Sequence, residues 1–503
     1  MQCPKCGNQN PDDAQSCRAC HAALTNTDTQ EPKAKTSKNV VGAVFLAGLS
    51  LILTICVKPT LAFLAAMVGA VAIVVSIVQT IKGKKKLTIR RIGLGLFIIL
   101  QMVLLTYWRI DAAPIPNDYT INDLRSATLR YNDTYSLFQS LADHNENSPD
   151  APAIGLSSEE LKNLEEINNI FKEKDLKTIS KQLQANADKI MSIWQNAKKG
   201  RDIFDRLEKC PEIADLTEPY LESRISWALN FKHLIFLTRA YICLQSYKGN
   251  HKAAIDELSR LDSISKKISL NARMLITKLV CLAYLRINIE TANFIINNPE
   301  TPKEVLLVLK QRMIPFSNEH VSLRNPMIFE YLTFKNELKK ITHEPRFRYS
   351  YFPPLKLNST LRLYRNFCDK WISVSEHRTR IKEFRVWPTL YANLPAKIGL
   401  RNKLPWYYKA YNPAGSYVAY ILMPGMEKVF EIKTRMQIYS DLLQIAFNKR
   451  LGREADLKAR AYSDQYIIDI ENRIIFSPGP DGQAGTDDDI KLPINPEVLG
   501  FTE

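Results

Sequence analysis

Four of the nine cysteines fall within the first twenty residues, as two Cys-x-x-Cys pairs, Cys3-Pro4-Lys5-Cys6 and Cys17-Arg18-Ala19-Cys20. Two such pairs, ten residues apart, can set four thiolates tetrahedrally around a single ion. Each pair forms a tight turn, and the intervening Gly7 to Asp13 is turn-forming chemistry. Zn²⁺ suits an all-thiolate site, and a closed four-ligand set leaves no position for a substrate. The alternatives are two disulfides or unliganded thiols, and either leaves twenty residues with almost no core.

With Gly7-Asn8-Gln9-Asn10-Pro11-Asp12-Asp13 between the pairs and Leu24 after them, residues 1–24 resemble the short zinc ribbon found at the N-terminus of many bacterial membrane proteins. The resemblance implies a structural or interaction module with Cys3, Cys6, Cys17 and Cys20 as zinc ligands, and no catalytic role. His21 stands where that family usually has Gly, which also makes His21 an alternative ligand.

A second group of ligand-type residues lies near the other end. The segment from Ser477 to Ile490 carries Asp481, Asp487, Asp488 and Asp489, four carboxylates that repel one another unless solvated or bridged by a cation. Gly479, Gly482 and Gly485 let the backbone curl so that oxygens converge. Oxygen donors of this kind suit Ca²⁺. The run Gly479-Pro480-Asp481-Gly482, then Gly485-Thr486-Asp487-Asp488-Asp489-Ile490, resembles the C-terminal calcium loop of the major pseudopilins of type II secretion, over about 426–495. That resemblance implies Asp487 and Asp489 as carboxylate ligands, with Asp481 a weaker third, and a borrowed helix-plus-sheet module.

The motifs of common chemistries are absent: there is no HExxH, no GxSxG, no P-loop and no Gly-rich dinucleotide turn. Beyond His21, the histidines (His144, His233, His251, His320, His343, His377) stand singly over more than two hundred residues and read as surface or packed groups. The pairs Glu159-Glu160 and Glu165-Glu166 sit in charge-rich helical stretches and read as solvated faces.

These groups are positioned by a chain of 503 residues whose charge is unevenly spread. Residues 1–108 hold 12 basic and 4 acidic side chains, and the remainder holds 56 and 48, so half of the net +16 lies in about a fifth of the chain. The larger part is only mildly basic, and the ribbon carries only Lys5 and Arg18, which argues against a nucleic-acid partner. Residues 39–57, 61–81 and 92–108 contain no charged side chain. At ~1.5 Å per residue they make helices of roughly 25–32 Å, near the ~30 Å hydrocarbon thickness of a bilayer, and predict three transmembrane helices. Lys82 to Arg91 carries six positive charges between the second and third runs, against Lys58 alone between the first and second. The positive-inside rule then puts the N-terminus and that loop in the cytoplasm, and everything after Trp108 outside the inner membrane. The orientation agrees with a thiolate site, which needs a reducing compartment.

After the polar linker 25–38 and the three spans, residues 119–425 read as a helical extracytoplasmic domain and 426–503 as the pseudopilin-like helix and β module. Ser157-Ser158-Glu159-Glu160 is a capping-type helix start. Tyr241 to Ile268 reads as a helical hairpin turning at Lys248-Gly249-Asn250. Residues 426–450 predict an amphipathic helix, with Val429, Ile432, Met436, Leu443 and Phe447 toward one side and Lys433 and Asp441 toward the other. Tyr466–Ile470 and Arg473–Phe476 predict a β-hairpin turning at Glu471-Asn472. The fold class is thus mainly α. The functional expectation is a membrane-anchored, non-enzymatic scaffold or interaction protein of the bacterial envelope, with the lipid bilayer and an extracytoplasmic protein as partners. The alternatives are a transmembrane signalling protein with an exterior sensor, or an envelope hydrolase whose site has no recognised motif.

Overall fold

Ser157 and Glu160 start their helix by reciprocal capping. The Glu160 N–H donates to Ser157 Oγ at 3.2 Å, and the Ser157 N–H donates to Glu160 Oε2 at 2.7 Å. Local signals of this kind, joined to apolar residues at helical spacing, produce a mainly helical chain. The computed structural model describes residues 1–24 apart from 4, 12, 13 and 23, then 110–125, 134–142, 154–343 apart from 174 and 224, 355–376, 412–422 and 426–501. The expected spans 39–57, 61–81 and 92–108 lie outside the described residues, as does the linker 25–38.

Two compact units emerge, Met1–Ile110 and Asp111–Glu503. The helices of the second are α1 (Thr134–Gln139), α2 (Ser158–Ile170), α3 (Leu176–Ala185), α4 (Ala187–Asn196), α5 (Lys198–Lys209), α6 (Ala228–Tyr247), α7 (His251–Asn271), α8 (Leu275–Ile296), α9 (Lys303–Arg312), α10 (Asn318–Val321), α11 (Arg324–His343), α12 (Leu357–Glu376), α13 (Pro413–Leu422), α14 (Met426–Arg450) and α15 (Pro496–Leu499). The predicted hairpin at Lys248-Gly249-Asn250 is the α6–α7 turn, with Gly249 in the left-handed region at φ 80°. Helix α8 is apolar and long enough to cross a membrane, but 67% of its most hydrophobic stretch is buried inside the protein. It packs between α6, α7 and α14. A helix apolar on every side is buried wherever it sits, and here the neighbours are protein.

Three clusters of buried side chains hold the second unit. One joins α1 to α8 through Leu141, Phe204, Phe231 and Tyr284. A second joins Leu258, Leu285 and Leu306 to Ile438, Leu442 and Phe447 of α14 and to Ile475 and Leu492 of the sheet. A third stacks Tyr331, Tyr364 and Trp371 of α11 and α12 against Phe430 at the start of α14. The segment that enters this unit is tied down by charge. Asp111 accepts from the N–H groups of Asn358 and Ser359 at 2.7 and 3.0 Å, an anion on the N-terminus of α12.

The C-terminal strands are β1 (Ile467–Asp469), β2 (Ile474–Ser477) and β3 (Ile490–Pro493), in order β1-β2-β3 and antiparallel throughout. Ile467 pairs with Phe476 across the predicted hairpin, and Ile475 pairs with Leu492. The third strand follows the acidic loop directly; Ile490 and Leu492 are buried while Lys491 is exposed, the two-residue alternation of a half-covered strand.

Two expectations about 426–503 change. Helix α14 has the predicted bounds but is not amphipathic, because it crosses two of the three cores. Lys433, expected toward solvent, is 6% exposed and donates to the Ser375 carbonyl, and Ile432, expected in the core, is 37% exposed. The boundary expected at residue 426 has no counterpart in the packing, since α14 and the sheet share a continuous core with α7, α8 and α9. The pseudopilin-like module is therefore not a separate body.

Candidate metal centre

Each Cys-x-x-Cys pair is held by the same set of backbone hydrogen bonds. The Gly7 N–H donates to the Cys3 carbonyl at 2.9 Å, and the His21 N–H donates to the Cys17 carbonyl at 2.9 Å. Cys3 N–H donates to Asn8 O and Cys17 N–H to Ala22 O, at 2.9 and 2.8 Å. The outer closures also match, Asn10 N–H to Met1 O and Leu24 N–H to Gln15 O, both 2.9 Å. The second knuckle thus repeats the first, residue for residue, from Cys3 to Cys17 onward.

The residue after each pair is left-handed: Gly7 at φ 71° and His21 at φ 54°. Glycine adopts this conformation without cost, and histidine is among the side chains that tolerate it better than most. His21 replaces a glycine and the knuckle keeps its hydrogen bond. All four sulfurs meet without the His21 ring.

Their Sγ atoms all lie within 4.8 Å of one another. Cys3 and Cys20 are 3.7 Å apart, and Cys6 and Cys17 are 3.5 Å apart. A tetrahedron with Zn–S of ~2.3 Å has sulfurs about 3.8 Å apart, so the quartet has the size zinc requires. No disulfide links them, and Cys210, Cys243, Cys281 and Cys368 are also free thiols. Cys3 and Cys17 are buried with Leu24 in a small cluster of their own, while Cys6 is exposed.

The protonation pattern fits a site built for a cation. Backbone N–H groups of Ala19 and Cys20 draw the Cys17 thiol down to about 6. The Lys5 N–H lowers Cys3 in the same way. The Asn8 N–H favours a thiolate at Cys6 too, but the Cys20 and Cys17 sulfurs outweigh it and hold Cys6 up at about 12. Four sulfurs this close cannot all carry charge unless a dication sits among them, and Zn²⁺ supplies it.

Asn10 is a residue that reading the sequence passed over as part of a turn. It is 6% exposed; its Nδ2 donates to Asn8 O at 3.0 Å and reaches Cys17 Sγ at 3.5 Å, and its Oδ1 accepts the Arg18 N–H at 2.9 Å. It joins the two knuckles and supports one ligand. Its signal in the sequence is only that asparagine follows Gly7 by three.

The acidic loop is arranged differently from expectation. Asp481, Asp487 and Asp489 do not converge: among the described residues, the cysteine quartet is where three or more such side chains could share an ion. Asp481 is exposed and accepts from the Gln483 N–H at 2.8 Å, Asp487 is exposed, and Asp489 is 7% exposed. Asp487 is left facing solvent, whereas Asp489, which leads directly into β3, is buried. Asp488 organises the loop instead, taking Thr486 Oγ1 at 2.6 Å and the Asp481 N–H at 3.2 Å; the Thr486 hydroxyl lowers its carboxyl below the usual range. Gly479 leaves room for that carboxylate, which a Cβ there would strike. Asp489 Oδ2 accepts the Gly485 N–H at 2.9 Å and pairs with Lys491 at 3.4 Å, while its Oδ1 is buried without a partner among the described residues.

The paired knuckles and four sulfurs make residues 1–24 a zinc-ribbon module. Residues 2–24 match the zinc-ribbon domain family, and the match does not extend to the acidic loop. No curated protein and no solved structure matches the chain.

Proposed function

We propose that the chain is a membrane-anchored scaffold or interaction protein of the bacterial envelope, with its zinc ribbon in the cytoplasm and residues 111–503 outside. The observation that carries this reading is the trio of uncharged runs 39–57, 61–81 and 92–108, with six cations between the second and third. An odd number of crossings separates the thiolate site from the helical unit, and the free cysteines of the ribbon suit the reducing side. The partners are the bilayer and a protein met outside the cytoplasm. Burial pushes the Cys243 and Cys281 thiols up to about 12, so neither of these two serves as a nucleophile. Alkaline phosphatase fused after Glu503 should be active and a fluorescent protein there dark; the reverse pattern overturns the topology.

Calcium is a second element of the proposal. The supporting observation is Asp489 Oδ1, a buried carboxylate oxygen with no partner among the described residues, in a loop whose carbonyls could complete an oxygen site. In the full chain, millimolar Ca²⁺ should raise the melting temperature of the helical unit, and Asp489→Asn should abolish the rise. An unshifted wild type removes calcium from the account.

A further inference from the structure

The second unit contains a cleft of about 660 Å³ where α8 and α14 meet the C-terminal sheet, a volume suited to a small molecule. Its walls mix aromatic rings, Phe171, Phe294 and Phe476, with guanidinium groups from separate helices. Arg239 of α6 lies over the Phe171 ring at 3.9 Å, and Arg286 of α8 lies over the Tyr439 ring at 4.9 Å. Arg435 stands one turn before Tyr439 on α14.

The acceptors in this part of the cleft are fewer than the donors. Arg239 and Arg286 share one carboxylate, Glu290, at 3.0 and 2.9 Å. Arg239 Nε is buried and has no partner among the described residues. Arg435 pairs with Glu431, which lies on the same helix and does not line the cleft, and its Nη2 donates to the Asp488 carbonyl at 3.3 Å. Tyr439 is 6% exposed, lines the cleft and donates its hydroxyl to no group among the described residues. Burial holds its phenol proton above the ordinary value, so the hydroxyl remains a donor at neutral pH. Elsewhere on the wall, Lys491 pairs with Asp489 and Arg473 with Glu497, and Glu173 and Asp469 add two carboxylates. The imbalance is therefore local, at the meeting of α8 and α14.

We propose that this cleft binds a small amphiphilic oxyanion, a carboxylate or phosphate carried on an apolar body. Arg286, Arg435 and the Tyr439 hydroxyl would take the anionic group, with the apolar part against the phenylalanine rings. Planar guanidinium groups match carboxylate and phosphate geometry, and partial enclosure strengthens each contact. The assignment goes beyond the envelope-scaffold reading and does not depend on it.

Calorimetric titration of the full chain with phenyl phosphate, benzoate and inorganic phosphate tests the idea. Saturable one-site binding is expected for phenyl phosphate or benzoate, and whichever binds tighter identifies the anionic group. Arg286→Gln and Arg435→Gln should each weaken that binding about tenfold, and the near-isosteric Tyr439→Phe severalfold, with melting temperature as the folding control. Lys162→Gln, on the exposed face of α2, should leave it unchanged. The proposal is overturned if neither aromatic anion binds, if Tyr439→Phe and both arginine variants bind as wild type, or if Lys162→Gln weakens binding equally. Inorganic phosphate binding as tightly as phenyl phosphate overturns the amphiphilic character.

Discussion

At the scale of single residues, asparagine 10 and lysine 278 give the sharpest tests. Asn10 contacts a ligand sulfur and bridges the two knuckles, so Asn10→Ala should lower zinc affinity about tenfold, measured by competition with a chromogenic chelator. Lys278 is 2% exposed, and its ammonium donates to the carbonyls of Ser269 and His320 at 2.6 Å each. Burial draws it down to about 7 from the ordinary 10.5. Between those values the unfolded chain binds the proton and the folded chain does not, so this group adds stability as pH rises through that window. Wild type should therefore gain about 2 kcal/mol in unfolding free energy relative to Lys278→Met from pH 7 to pH 9. Denaturant titrations at the two pH values measure it, and a constant difference contradicts the buried placement. The cysteine ligands were legible because chemistry alone demands their spacing. Asn10 and Lys278 were not, since their roles come from neighbours distant in the chain or from burial.

At the scale of elements, helix entry points and close packing decide most of the stability that can be tested. Gly200 of α5 faces Leu234 of α6 so closely that an added Cβ would lie 2.6 Å from Leu234 Cδ2. Gly200→Ala gains helix propensity but overpacks this contact, and it should destabilise the helical unit by about 1–3 kcal/mol in denaturant titration. A gain in stability would mean that α5 and α6 are free to separate. The capping box at Ser157 and Glu160, the α6–α7 turn and the β1–β2 hairpin were all readable, because their signals lie within a few residues. Helix α14 shows where that reading fails. Its bounds followed from periodicity, but its solvent face did not, since Lys433 and Ile432 are placed by α12 and by two cores that α14 crosses. Strand β3 was missed because four residues after a glycine-rich acidic loop carry too little pattern to stand alone.

At the scale of the whole molecule, the two units should respond independently to loss of metal. Cys6→Ser removes one of four sulfurs and should release zinc and unfold residues 1–24, while the melting temperature of the helical unit stays unchanged. Metal analysis and calorimetry of the same sample check both halves of that expectation, and a joint loss would show that the units are thermodynamically coupled. The same division governs how far composition can be trusted. Helix α8 passes as a membrane span by length and hydropathy, yet it is a core helix with other helices around it.

The sequence by itself determined the zinc ligands, the helical class and most of the local turns, because each depends on groups close together along the chain. Tertiary structure alone decided that α14 and the sheet complete the core of the helical unit, that Asp489 is buried while Asp487 is exposed, and that Arg286, Arg435 and Tyr439 meet in one cleft. Those outcomes arise from contacts between segments more than a hundred residues apart or from the covering of a strand, and burial and direction in space leave no mark in local spacing.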